Sequence, residues 1–462
     1  MAGIGFELRK YLNDDSFTGT LKAYGFAGLI SAGPWVLSIL GVMLIGIVAI
    51  SQKVGGQEVE QFTTSVTWMM GTSLILSGLL QLVFTRFIAD RLYEGRDQRI
   101  NPNLFGALLL TTLVSGILGV VLMATIFHEA FAYEVLMIAN FVTLSNVWIV
   151  VIFVAGLKKF KVILCSFFFG YATTVLLSIL LLPFGISGLL AGLLTGHALL
   201  MFLMLAVIIP EYPIQETVRM DFLKRKQIFP VLIFVGLFYN LGIWIDKFMF
   251  WTYPGTSEAV IGPLRASLIY DLPIFLAYLS IIPGMAVFLL RIETDFAEAY
   301  EGFFNAVRGN ASLQQIETLG NEMILAVREG IFQIIKVQGI TVLVLYMLGP
   351  KIVAWLGISD KFIHLYYIDL VGVAAQVLML AVLNVLFYLD RLSDAFWLTL
   401  TLLISNAGFT WITLQMGPQF YGYGFGLSMT LTAFIGIYQL SSELENIEFR
   451  TFMRPRDATA SN

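Results

Sequence analysis

Five ionisable side chains interrupt apolar runs long enough to cross a bilayer: Asp246 and Lys247 in one run, Arg265 and Asp271 in the next, and Asp369 in a third. A charge in hydrocarbon costs at least about 2.5 kcal/mol on insertion scales, so such residues mark ion or substrate pathways unless they pair internally. Helical spacing gives the runs polar faces. Tyr239 and Asp246 share a stripe through Gly242, and Asn240 and Lys247 lie on the neighbouring stripe with Trp244. Ser267, Asp271 and Tyr278 share a third stripe, and Tyr366, Asp369 and Gln376 a fourth. Two carboxylates suit a hard cation, which takes oxygen ligands, and like charges raise proton affinity. Asp246 and Asp369 are therefore expected to hold Na⁺ or H⁺ together and to bias alternating access. Asn240, Asn384 and backbone carbonyls are candidates to complete the shell, and Asp271, Lys247 and Gln376 join the coupling and pathway candidates. The aromatic and polar pathway candidates are Tyr239, Trp244, Tyr270, Tyr278, Tyr366 and Trp68. The competing reading is a set of internal ion pairs, such as Lys247 with Asp271, that holds helices together. Arg265, whose stripe continues through Ile269 and Leu272, reads equally well as a side chain snorkelling to the interface.

Other chemistry has no support in the sequence. His128, His197 and His364 fall in separate segments without metal-ligand spacing, and no nucleotide loop, nucleophile elbow or zinc motif occurs. An enzyme is not expected, nor a structural metal, nor any cofactor beyond a coupling cation. The single cysteine, Cys165, lies in an apolar run and reads as a small buried hydrophobe. With 27 Lys and Arg against 31 Asp and Glu and no basic stripe, nucleic-acid binding is not expected.

The elements that must position these side chains follow from composition. Of 462 residues, 58% are hydrophobic and 13% charged, with a mean hydropathy of +0.84. The charged fraction is roughly half the 25% or so of soluble chains, so a bilayer is the expected surroundings. Spanning-length windows give twelve segments, near 21–50, 64–86, 104–127, 133–156, 162–183, 186–210, 228–252, 264–290, 331–350, 362–389, 394–416 and 422–444. The first is too long for a signal-peptide core and is expected to be retained. Alternate loops, counted from the N-terminus, hold 22 of the 27 cations, while the opposite loops hold only Lys53, Lys351 and Lys361. By the positive-inside rule both termini are cytoplasmic. The five intramembrane charges then lie in the periplasmic half of spans seven, eight and ten.

The fold expected is an all-α polytopic membrane protein with two six-helix lobes around a central cavity. Residues 1–20 form an interfacial amphipathic segment, with Ile4, Leu8, Tyr11 and Leu12 on one face. Residues 21–210 form the N-lobe, whose last helix ends at Pro210 and Pro213, 211–227 a cytoplasmic linker, 228–446 the C-lobe, and 447–462 a cytoplasmic tail. The C-lobe carries a cytoplasmic helical insert, 291–330, read as a hairpin turning at Gly309-Asn310. Its aromatic face, Phe296, Tyr300, Phe303 and Phe304, is either a docking surface for a cytosolic partner or packing against the transporter body. The N-lobe spans offer neutral groups, among them Ser38, Thr64, Trp68, Thr72, Ser73, Ser77, Gln81, Asn146 and Trp148, which suit a sugar or serve as helix packing. Gly25, Gly28, Gly33-Pro34, Pro273, Pro283 and Gly284 permit bends or close crossings.

Two strings are more specific than hydropathy. Residues 1–9, Met-Ala-Gly-Ile-Gly-Phe-Glu-Leu-Arg, and the stretch from Tyr270-Asp271-Leu272-Pro273 through Ser280-Ile281-Ile282-Pro283-Gly284-Met285 to Arg291-Ile292-Glu293-Thr294-Asp295-Phe296 resemble the PelG family of Pel exopolysaccharide transporters. The resemblance covers essentially the whole chain. It implies the multidrug/oligosaccharidyl-lipid/polysaccharide exporter superfamily and a bacterial inner-membrane location. It further implies carriage of a nascent, N-acetylgalactosamine-rich polymer to the periplasm for the biofilm matrix. The partners it implies are a cytosolic glycosyltransferase and membrane proteins, one of which senses cyclic di-GMP. Cation-coupled relatives place acids on the seventh and tenth helices, where Asp246 and Asp369 stand. The basic cavity of relatives that move pyrophosphate-linked lipids is missing here. Three alternatives stay open: a lipid-linked oligosaccharide flippase, a cation-coupled drug exporter, and a membrane scaffold for a polysaccharide synthase.

Overall fold

The computed structural model describes residues 17–51, 56–156, 159–214, 216–224, 229–355 and 363–453. The amphipathic face expected at Ile4 to Leu12 and the end of the tail lie outside them. The chain is an all-α polytopic membrane protein. Its helices are α1 (Phe17–Ser51), α2 (Gly56–Tyr93), α3 (Ile100–Ile126), α4 (Phe131–Gly156), α5 (Phe160–Leu180), α6 (Gly185–Ile208), α7 (Pro230–Thr252), α8 (Leu268–Tyr278), α9 (Ile281–Leu290), α10 (Ala297–Arg308), α11 (Leu313–Trp355), α12 (Ile363–Tyr388), α13 (Leu392–Met416), α14 (Tyr423–Glu445) and α15 (Ile447–Met453). Among the described residues, eleven helical segments are long and apolar enough to cross a membrane. The first expected span falls on the 35-residue helix α1.

The eighth expected span departs from a plain helix. Its first residues form a hairpin, β1 (Glu258–Ile261) antiparallel to β2 (Leu264–Ala266), turning where Gly262 takes a φ of 50°. The helix then starts at Leu268 and breaks between α8 and α9. Pro283 has no N–H to give the carbonyl four residues back, at Leu279, so one helix ends and another begins there. A π-helical turn, Arg291–Phe296, follows, with Thr294 Oγ1 donating to the Leu289 carbonyl (3.1 Å), and leads directly into α10. The second arm of the expected insert is continuous with the ninth span in the 43-residue α11. Asn310, at a φ of 55°, turns the chain between the two arms. The boundaries expected at 291 and 330 thus fall inside helical runs.

The chain packs into two compact units. The larger comprises the described residues within Ala32–Leu279 and Thr399–Phe425; the smaller comprises those within Met1–Ser31, Ser280–Leu398 and Gly426–Asn462. In the larger unit, helices meet through glycine. A Cβ on Gly236 of α7 would lie 2.2 Å from the Gly78 carbonyl oxygen of α2, and one on Gly196 of α6 would lie 1.9 Å from Thr174 Oγ1 of α5. Such close crossings suit helices that gain no hydrophobic drive from lipid. The linker is docked on this unit rather than strung across it. Asn101 Nδ2 donates to the Ile209 and Tyr212 carbonyls (2.9 and 2.7 Å), the Arg219 N–H donates to the Pro102 carbonyl (2.9 Å), and Phe222 is fully buried against Phe84 and Phe87. In the smaller unit, a Cβ on Gly28 of α1 would meet Ile282 Cγ2 of α9 at 3.2 Å, a close crossing, whereas Gly25 faces open space. Cys165 is exposed on α5 rather than buried, because an apolar run presents one side to lipid.

Candidate functional site

The larger unit places Asp246 and Lys247 of α7 in its interior, 0% and 1% exposed. Consecutive helix positions diverge by about 100°, yet the flexible lysine stem folds back. Its Nζ donates to Asp246 Oδ2 and Oδ1 (2.9 and 3.2 Å) and to the Ile243 carbonyl (2.9 Å). Tyr270 of α8 donates its hydroxyl to Asp246 Oδ2 (2.6 Å). Asn406 of α13 donates to Asp246 Oδ1 (3.1 Å) and to the Gly242 carbonyl (2.8 Å), and Thr410 donates to Asn406 Oδ1 (3.1 Å). Each carboxylate oxygen therefore accepts two bonds, the capacity of its two lone pairs. The ammonium also lies 4.8 Å from the Phe425 ring centroid and 5.3 Å from that of Tyr278, within cation–π range. Phe250 stacks on Tyr270 at 3.9 Å, which fixes the phenol that faces the carboxylate.

The ion pair differs from the expected one. Lys247 pairs with its neighbour Asp246, and Asp271 is held instead by Trp251 Nε1 (2.8 Å) and the Ser267 N–H (3.1 Å). That second bond caps the start of α8, giving Asp271 a positioning role for the helix that carries Tyr270. Arg265 lies on β2, outside any helix, and donates to Ser257 Oγ and its carbonyl (2.9 and 2.8 Å). It is pinned rather than snorkelling. Trp68 Nε1 donates to the Arg265 carbonyl (2.8 Å) and its ring packs against Trp251 and Phe248. Trp244 lies against the flat face made by Gly71. Tyr239 and Asn240 are half-buried, and the Asn240 amide donates to the Gly236 carbonyl (2.9 Å).

The neutral groups of the first half are largely used internally. Trp148 Nε1 donates to Ser73 Oγ (3.0 Å), Gln81 to Ser77 (2.9 Å), Asn146 to Thr112 (2.8 Å), and Thr72 bonds back to the Trp68 carbonyl (2.6 Å).

In the smaller unit, Asp369, Tyr366 and Gln376 are buried on α12. Asp246 and Asp369 belong to different units. Asn384 stands fifteen residues beyond Asp369 on the same helix, about 22 Å along its axis, so it does not complete a shell at that carboxylate. Its amide instead donates to Glu293 Oε1 (2.7 Å), and Tyr388 donates to Glu293 Oε2 (3.3 Å). The aromatic stripe of the insert closes over the same place: Phe296 and Tyr300 each lie 5.4 Å from the Tyr388 ring, and Phe304 lies 4.5 Å from Tyr300. Phe296 and Phe303 are fully buried, so their faces are covered by the unit itself and only Tyr300 and Phe304 keep partial exposure. Among the described residues, no group of three or more His, Cys, Asp or Glu could hold a metal ion.

Asn406 and Thr410 were missed in the sequence; the signal was an amide and a hydroxyl four apart in an apolar run, at helical spacing.

Solved structures share this architecture. A structure described as MATE in the bent conformation superposes with a TM-score of 0.68 at 11% identity, covering 98% of this chain and 100% of its own. An outward-facing multidrug resistance MATE family transporter of the MOP superfamily gives 0.66 at 14% identity, with 92% and 96% covered. A MOP superfamily transporter from Pyrococcus furiosus, described by the reverse polarity of its binding pocket, gives 0.64 at 12%, with 91% and 96% covered. At these identities the likeness is one of fold. No curated protein matches the chain. The family model described as "PelG: Putative exopolysaccharide Exporter (EPS-E)" matches residues 1–452, nearly the whole length. This multi-pass inner-membrane protein belongs to the PelG family.

Proposed function

We propose that the chain moves nascent Pel-type exopolysaccharide, rich in N-acetylgalactosamine, from cytoplasm to periplasm as part of a synthase complex that builds biofilm matrix. In this reading it has twelve spans in two six-helix lobes with both termini cytoplasmic. A cytosolic glycosyltransferase feeds it, and cyclic-di-GMP-sensing membrane partners control supply. The observation that carries the reading is the buried Asp246–Lys247 pair with Tyr270 and Asn406, inside a chain of an exporter family. A membrane anchor has no use for two desolvated charges. The Lys247 ammonium sits where a cation would sit on Asp246, so Na⁺ or H⁺ arriving there exchanges with it and frees a charged side chain to reorient. Asp369 is the second acid of the same coupling scheme. The test is polymer translocation into vesicles that contain the chain and its glycosyltransferase, with and without imposed Na⁺ or proton gradients. Protected polymer is expected only when the chain is present. Equal protection in vesicles lacking it overturns transport, and indifference to both gradients overturns the coupling.

A further inference from the structure

The smaller unit carries a groove of about 260 Å³ between α11 and α14, lined by Val327, Ile331, Ile335, Ile437, Leu440 and Leu444, with Arg328, Phe332 and Ser441 at its edge. Nothing in the coupling scheme uses it. Its floor is branched aliphatic, and it straddles the start of the ninth expected span at residue 331, so its Ile331–Ile335 end is expected against hydrocarbon and its Arg328 end at the headgroup level. Its polar edge is cationic. Arg328 is exposed and, among the described residues, has neither a hydrogen bond nor an ion pair. Lys336, two turns further along α11, lays its Nζ 4.2 Å from the Phe332 ring centroid. Helical side chains lean toward the N-terminus of their helix, so that ammonium is carried back to within about one turn of Arg328. Two cations without acidic partners thus share with Phe332 the i, i+4, i+8 stripe of α11 that borders the aliphatic slot. Of the acids closest along the two helices, Glu445 accepts from Ser441 (3.3 Å), and among the described residues neither it nor Glu329 pairs with either cation.

We propose that this groove binds one anionic phospholipid, its phosphate held between Arg328 and Lys336 and an acyl chain laid along Ile331, Ile335, Ile437, Leu440 and Leu444. A basic edge beside an apolar inter-helix slot is the chemistry that selects an anionic headgroup from a bilayer. A free phosphate would satisfy the cations and leave the slot without an occupant, so the lipid is the ligand that uses the whole site. The inference needs only that α11 and α14 lie in the bilayer, and it holds whatever the chain transports.

The test is native mass spectrometry of the full-length chain released from nanodiscs of phosphatidylglycerol and phosphatidylcholine, with R328Q, K336Q and the double variant beside it. At roughly 1 kcal/mol per surface cation, the double variant should lose about thirtyfold of the preference for phosphatidylglycerol and each single variant about fivefold. Leu440→Trp, which fills the slot and leaves the charges in place, should also shed the bound lipid. Retained preference in the double variant overturns the proposal. So does displacement of the lipid by millimolar inorganic phosphate, which would make the acyl slot irrelevant, or unchanged lipid retention in Leu440→Trp. None of these readings depends on polymer translocation, so its failure and that of the transport reading are separable.

Discussion

At the residue scale the question is whether Asp246 and Lys247 serve structure or transport, and the pair's geometry allows the two to be separated. Asp246→Asn leaves a buried ammonium uncompensated, and Lys247→Gln leaves a buried carboxylate, each expected to cost about 3–5 kcal/mol. Removing both charges together should restore most of that loss, since a neutral pair of similar volume carries no desolvation penalty. Thermal unfolding in detergent measures the cycle. A purely structural pair predicts that the restored double variant translocates polymer; coupling predicts that it is stable and inactive. Tyr270→Phe removes one of the four bonds to the carboxylate and should cost about 1–3 kcal/mol, with the Phe250 stack left in place. Much of this site was legible before the structure, because an acid in an apolar run cannot be hidden. The partner choice was not. Spacing on a helix wheel separates Asp246 from Lys247, and only a four-carbon stem in a space bounded by Tyr278 and Phe425 turns them into a pair. Asn406 was obscured for another reason: a lone amide in a span reads as packing glue unless its acceptor is known.

At the element scale the linker and the glycine crossings carry the argument. Asp221 is almost fully buried, and burial pushes its carboxyl up. The Lys224 ammonium, the Asn103 amide and the Arg219 guanidinium outweigh that and hold it below the usual range. Asn103 also accepts the Asp221 N–H (2.7 Å), so the bond set fixes the linker onto the start of α3. A depressed carboxyl contributes stability that is present above its unfolded value of about 3.9 and is lost as pH falls through the lower folded value. Linker cleavage by an acid-tolerant protease should therefore be unchanged from pH 7 to pH 5 and rise only below about pH 4. Asp221→Asn should show the raised cleavage at every pH. Gly106→Ala attacks the same dock sterically, since its Cβ would fall 1.8 Å from the Arg219 carbonyl oxygen. Gly236→Ala should cost about 1–3 kcal/mol by overpacking, because the atom it meets is the Gly78 backbone of α2 and cannot rotate away. Hydropathy located these helices, but it did not see their breaks. The hairpin at 258–266 and the division at Ser280 come from Gly262-Pro263 and Pro283, which interrupt backbone bonding without lowering apolarity. The continuity of α11 was missed for the converse reason: polarity changes at residue 331 while the backbone hydrogen bonding does not.

At the scale of the whole molecule, the distribution of cations makes a prediction that eleven apolar segments alone do not make. Those segments fix a polytopic protein, and α1 decides whether the number is odd or even. An even number puts both ends on one side, and by the positive-inside rule the loops that hold 22 of 27 cations are then expected in the cytoplasm. Single cysteines test this in a Cys165→Ser background, which is needed because Cys165 is exposed. Arg96→Cys, Lys224→Cys and Asn310→Cys should react in intact cells only with a membrane-permeant maleimide, while Glu258→Cys and Gln419→Cys should be blocked by an impermeant one. All five positions lie outside the long helices, Gln419 in the short 3-10 turn Pro418–Phe420, so the readout does not depend on opening a membrane-length helix. Impermeant labelling at Asn310 would place the α10–α11 arms outside, remove them from reach of a cytosolic glycosyltransferase, and invert the direction of export. Cytoplasmic protection at the first three positions, with outside access at the other two, puts Asp246, Lys247 and Asp271 nearer the periplasmic face. There the coupling pair would meet an inward-directed Na⁺ or proton gradient from its high side, and gradient-driven translocation should collapse when the gradient is reversed.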